Sequence, residues 1–165
     1  MKIRLVIAPI VLAILTLVAF TMIQAQSTSK EAVTTMHAVG PFEVKITHQD
    51  DEAGDPMLNR MILDKQYHGD IEATGKGQML TAGTEVKGSG AYVAIEKVSG
   101  TLKGRTGSFV LQHAGTMAQS VPQLTVLVVP DSGTGELKGL TGKMMINIAA
   151  DGKHSYDLEY ALPTH

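Results

Sequence analysis

The chain has 165 residues, no cysteine and no tryptophan, and 14 basic against 16 acidic side chains, a formal charge of −2. Thiol catalysis, thiolate metal sites and disulfide staples are excluded. A mildly acidic chain with no basic cluster argues against nucleic acid as a partner, and the scarcity of aromatics argues against a stacking platform for sugars.

The N-terminus reads as a targeting segment. Met1 to Arg4 is short and basic, Leu5 to Ile23 is almost wholly apolar, and Ala25 offers a small residue for cleavage. That order predicts a cleavable signal peptide over residues 1–25. The apolar run is close to the roughly 20 residues that span a bilayer. Pro9, Thr16 and Thr21 interrupt it, and the Ala25 site follows it, which favours cleavage over a retained anchor. The expected product is exported, periplasmic or secreted, with no stable membrane span left after cleavage. Its length of about 140 residues suits one domain with its own core. Loss of Lys2 and Arg4 leaves 12 basic against 16 acidic groups, a charge of about −4.

Residues 26–35 are small and polar and are expected to form a flexible lead. From residue 36 to 165 the texture is β. Phe42, Val44 and Ile46 alternate with Glu43, Lys45 and Thr47, the period of a half-buried strand. Asp50 to Pro56 is acidic and broken by Gly54 and Pro56, hence a loop. Residues 57–64 fit a short helix or a strand, and the texture beyond them favours strand. Further strands are expected over 65–74, 77–82, 90–98, 107–116, 123–129, 135–137, 142–149 and 154–162. Thr74-Gly75, Ala82-Gly83, Gly88-Ser89-Gly90, Ser99-Gly100, Gly104 and Asp131-Ser132-Gly133 separate them. Asp151-Gly152 is the sharpest hairpin signal. Seven to nine short strands with short links predict an all-β domain, a closed antiparallel barrel of about eight strands that leaves no sheet edge open. Such a barrel is filled by side chains or holds one small ligand.

Three segments carry a resemblance: Tyr67 to Glu72, Glu96 to His113, and Val129 to Leu137. They resemble an uncharacterised bacterial family, a domain of unknown function with an allene-oxide-cyclase-like β-barrel, over roughly residues 36–162. The opening strand departs from it, because the tryptophan expected near Thr47 is absent. The resemblance implies a barrel of about eight antiparallel strands, often homo-oligomeric, and no established reaction. Allene oxide cyclase itself cyclises a fatty-acid-derived epoxide inside its barrel; that analogy concerns the fold alone.

Alternation places Tyr92, Ala94, Glu96 and Val98 on one strand face. If that face is inward, Glu96 is a carboxylate in an apolar barrel, its pKa is expected to rise, and it is the first candidate catalytic residue. The plainer reading pairs it with Arg105 or Lys103 at the rim. His113, which shares a face with Phe109 and Leu111, is the second catalytic candidate, as a base or as a group that orients a ligand; the plainer reading is a hydrogen-bonded histidine at a strand end. Tyr92, Gln112 and Arg105 are candidate ligand-binding residues. Gln112 has the opposite face from His113, and Arg105 lies in a turn where a solvated role is the simpler account.

No metal site is expected: the histidines are scattered and the 50–55 loop lacks EF-hand spacing. No cofactor is indicated. Gly139 to Met144 fails the phosphate-loop pattern, and neither Ser108 nor Ser132 sits in a nucleophile elbow. The methionines read as core filler, with a soft wall for a lipid-like ligand as the alternative. Three functions remain: a module binding a small apolar ligand, an isomerase or cyclase using Glu96 and His113, and a non-catalytic interaction protein.

Overall fold

The computed structural model describes residues 34–50 and 54–163. The expected signal peptide and most of the expected flexible lead lie outside the described residues. Eight antiparallel strands close into one barrel in simple sequential order. They are β1 (Met36–Gln49), β2 (Leu58–Tyr67), β3 (Ile71–Gly83), β4 (Gly90–Leu102), β5 (Arg105–Ala118), β6 (Val121–Val128), β7 (Thr141–Ile148) and β8 (His154–Ala161). β8 returns to pair with β1, from Met36 opposite Tyr160 to Phe42 opposite His154.

Each wall follows the period-2 pattern of its sequence. Along β4, Ala94, Glu96 and Val98 are buried while Val93, Ile95 and Lys97 are exposed. Along β5, Phe109, Leu111 and His113 are buried and Gln112 is exposed. The register joins the two stripes, with Ala94 opposite His113 and Glu96 opposite Leu111.

The two ends of the barrel differ. At one end the links are residues 68–70, the two-residue turn Lys103-Gly104 with both φ positive, and the twelve-residue segment between β6 and β7. This end is packed solid by Ile71, Val98, Leu102, Phe109, Leu158 and Tyr160, all buried. A short 3₁₀ turn, Gly135–Leu137, seals it, with Leu137 and Leu140 buried beneath. A strand was expected at 135–137. Instead, side chains from this segment supply the acceptors for the edge of β5. The backbone N–H groups of Thr106, Ser108 and Val110 donate to Glu136 Oε2 (2.7 Å), Thr134 Oγ1 (3.0 Å) and Ser132 Oγ (3.0 Å). Those groups are satisfied without a ladder, so no strand is required there.

A second correction concerns residues 65–83. The chain reverses at His68-Gly69-Asp70, and β3 then runs unbroken through Thr74-Gly75, where a turn was expected. Gly75 and Gly77 lie inside the strand because no side chain fits there: a Cβ on either would collide with Glu96 or with the strand that carries it. Glycine marks turns, and it also marks places where another group comes close. The Asp151-Gly152 hairpin is found as expected, closed by Ala149 and Lys153.

Candidate functional site

Halfway along the barrel axis, four polar side chains meet among apolar ones. Lys65 (β2), Glu96 (β4) and His113 (β5) are 5%, 0% and 2% exposed. Lys65 Nζ donates to Glu96 Oε2 at 2.7 Å, and His113 Nε2 meets the same oxygen at 3.1 Å. Tyr67 donates its hydroxyl to Glu96 Oε1 at 2.8 Å and receives a second bond from Lys65 Nζ at 3.2 Å. The ammonium also lies 5.0 Å from the centre of the Phe42 ring, a favourable position for a cation.

The strand alternation explains how these groups converge. Leu63, Lys65 and Tyr67 share the inner face of β2, and Gly75 and Gly77 leave β3 without side chains between β2 and β4. Glu96 thus reaches across β3 to Lys65 and Tyr67. Burying a charge is expensive unless it is paired and hydrogen-bonded, and here every donor that surrounds the carboxylate points at it. Among the described residues no buried side-chain nitrogen or oxygen lacks a partner.

Glu96 was expected to carry a raised pKa; the structure reverses that. Burial is the largest single influence and pushes its pKa up. The hydrogen bond from His113, the charge and hydrogen bond of Lys65 and the charge of His113 together outweigh it, and the net shift is downward. Glu96 is therefore held ionised. An ionised carboxylate only accepts, so His113 Nε2 is the donor of their bond. Burial pushes the Tyr67 hydroxyl up, reinforced by the Glu96 charge and the bond to it. Tyr92 is raised by burial and by the Glu96 charge.

Above this polar floor the barrel is open. A cavity of about 570 Å³ fills the half next to the 84–89 and 149–153 links, within the roughly 300–1,000 Å³ usual for small-molecule sites. Its walls are mostly apolar, with Val44, Ile46, Met79, Leu124 and Ile146 among them, and Lys65 and His113 lie at its base. Tyr92 lines it too, its ring lying over Gly115 in the space a side chain there would occupy.

The structure thus brings together Glu96, His113 and Tyr92 of the expected site. Gln112 is exposed on the outer wall, in a separate concavity with Ile95 and Lys97. Arg105 is exposed at the solid end, far from the cavity mouth. Neither Arg105 nor Lys103 pairs with Glu96; Lys103 reaches Asp70 instead, at 3.5 Å. Lys65 and Tyr67 were missed. Their signal was the inward stripe Leu63, Lys65, Tyr67, obscured when residues 65–74 were read as a separate strand. Among the described residues no cluster of three or more His, Asp or Glu is arranged to hold a metal ion.

The sequence profile of a family described as a protein of unknown function, DUF3224, matches residues 38–160. Among solved structures, the chain is similar to a protein of unknown function from the same family in Shewanella oneidensis MR-1. The two are 46% identical with a TM-score of 0.74, over 80% of this chain and 100% of that one. No curated protein matches.

Proposed function

The chain belongs to the DUF3224 family, and from that footing we propose that it is an exported binding protein whose barrel takes a small lipophilic molecule bearing one polar group. The observation that carries this reading is the apolar cavity of about 570 Å³ standing on a buried Lys65–Glu96–His113 floor. A solid barrel would need no such cavity, and a water-filled one would not be walled by Val44, Ile46 and Leu124. The apolar part of the ligand lies against those walls. Its polar group meets Lys65 and His113, which are held in fixed orientation by Glu96 and Tyr67. Export rests on the N-terminal signal pattern.

Native mass spectrometry of the protein purified from its own exported fraction, followed by denaturing extraction, tests this directly. A reproducible small-molecule adduct is expected. A clean unliganded mass, with no thermal shift from any lipophilic extract, overturns the reading.

The contact between His113 and Glu96 favours a second reading, an isomerase or cyclase on a lipophilic substrate. His113 is then the proton-transfer group and Glu96 the residue that positions it. Turnover of the extracted ligand that is unaffected by His113→Ala removes it. The outer wall supports a third reading, contact with other protein surfaces including a second copy. Leu80, Val93, Ile95 and Leu127 are each more than 40% exposed there, and a strictly monomeric protein at all concentrations counts against that reading.

A further inference from the structure

The barrel is zipped unevenly. β5 and β6 pair over the whole of β6, and β7 and β8 over the whole of β7. Between β6 and β7 there is one register pair, Leu127 opposite Lys143. From there to the open end, residues 121–125 and 145–148 have no register partners across the seam.

Pro122 weakens the far end of this seam. Val129 N–H donates to the Val110 carbonyl at 2.8 Å. In an antiparallel ladder the peptide groups alternate in direction, so those of Val126, Leu124 and Pro122 turn toward β7. Proline has no N–H, and the β7-facing edge lacks a donor at Pro122. The side chains that border the gap, Pro122 and Leu124 on one edge and Ile146 and Ile148 on the other, also line the cavity. Leu124 is 41% and Ile148 66% exposed. The seam between β6 and β7 thus carries, on both edges, apolar side chains that also line the cavity.

We propose that the β6–β7 slot is a lateral binding groove for the tail of an elongated aliphatic amphipath, whose polar end points inward to Lys65 and His113. This rests on the ligand-binding reading above and adds the shape of the ligand and the route it takes. A hydrocarbon chain makes no hydrogen-bond demand on the two edges. What favours an alkyl chain is the lining, since Pro122, Leu124, Ile146 and Ile148 are all apolar, and Pro122 offers no N–H to an added strand at the mouth.

The test closes the slot from outside the cavity. Thr125 and Met145 are both exposed and fall opposite each other in the register set by Leu127 and Lys143. The chain has no other thiol, so in Thr125→Cys with Met145→Cys the one cross-link available draws the two edges together, and intact mass shows whether it has closed. Two probes are titrated: cis-parinaric acid, long and linear, and anilinonaphthalene sulfonate, compact. The oxidised protein is expected to lose at least about tenfold in affinity for the long probe, equivalent to about 1.4 kcal/mol. Reduction restores it, and the compact probe is held throughout. Leu124→Trp, which obstructs the slot without a cross-link, is expected to give the same selective loss should the disulfide fail to close. Wild-type binding of the long probe that neither closure nor Leu124→Trp alters overturns the lateral groove while leaving the cavity standing. Wild-type protein that binds neither probe overturns the cavity reading and the groove with it.

Discussion

The Glu96 carboxylate occupies the space that a side chain on Gly75 would need. A glycine on one strand and an acid on the next are thus two halves of one device, and the buried ion pair exists only because β3 presents no side chain at that point. Gly75→Ala is expected to displace the carboxylate from Lys65 and Tyr67 and to destabilise the fold by about 1–3 kcal/mol, the range of overpacked cores. Thermal unfolding reads this. An alanine variant as stable as wild type means that the acid moves aside without cost.

Glu96→Gln removes the charge that compensates Lys65 at 2.7 Å. Losing one partner of a buried pair leaves the other charged and unmatched, which costs about 3–5 kcal/mol. Replacing both, as Lys65→Met with Glu96→Met, is expected to recover much of that loss, because packed apolar groups carry no desolvation cost. Denaturant titration of Lys65→Met, Glu96→Met and the double variant closes the cycle. Additive single losses would mean that the two groups do not act as a pair.

Acid dependence follows from the direction of the Glu96 shift. Its folded pKa is lower than its unfolded one. Its contribution is therefore full above the unfolded carboxylate value of about 4.3 and is lost as pH falls through the folded value. Wild-type melting temperature is expected to drop below about pH 4.5 more steeply than that of Glu96→Gln. Asp70 and Asp151 are shifted in the same direction, but the first is only half-buried and the second exposed, so screening leaves little effect. Parallel acid limbs in the two proteins would assign the loss to other groups.

Alkaline dependence has the opposite sign. Burial raises Tyr67, with the Glu96 charge adding to it, and raises Tyr156 to about 12. The folded state keeps both neutral, so their contribution is whole below the unfolded tyrosine value of about 10 and is lost as pH rises beyond it. Tyr67→Phe is expected to flatten the stability curve above about pH 10, measured by denaturant midpoint against pH.

Tyr156 locks the reversal between β2 and β3. Its hydroxyl accepts from Ile71 N–H at 2.8 Å and donates to the His68 carbonyl at 3.0 Å. Tyr156→Phe leaves a buried N–H without its acceptor and is expected to cost about 1–3 kcal/mol. Hydrogen exchange should show the loss first at Ile71. Unchanged protection there would mean that another group takes the bond.

Alternation made much of this architecture legible. Phe42, Val44 and Ile46, the Glu96 stripe of β4 and the His113 stripe of β5 announced their inner faces directly, because a half-buried wall repeats every two residues. Closure into a barrel followed from the number of strands and the need to leave no edge. What escaped was governed by contacts distant in sequence. Gly75 looked like a turn because a local reading cannot distinguish a reversal from room made for an acid 21 positions onward. Lys65 was not singled out, since its counterion lies two strands away. Leu137 looked like part of a strand, although side-chain acceptors had replaced the ladder. Gln112 was ambiguous until the register placed its neighbour His113 inside.

The polar floor also divides the molecule into regions with different freedom to change. Below it, Leu102, Phe109, Leu137 and Leu158 interlock, and substitution there disturbs folding itself. Above it, Val44, Met79 and Leu124 border empty space, so a larger or smaller residue reshapes the chamber more than it strains its neighbours. Drift can thus remodel the chamber through a few exchanges while the lower core keeps the chain folded. The same scaffold can in this way carry chambers of different shapes among its descendants.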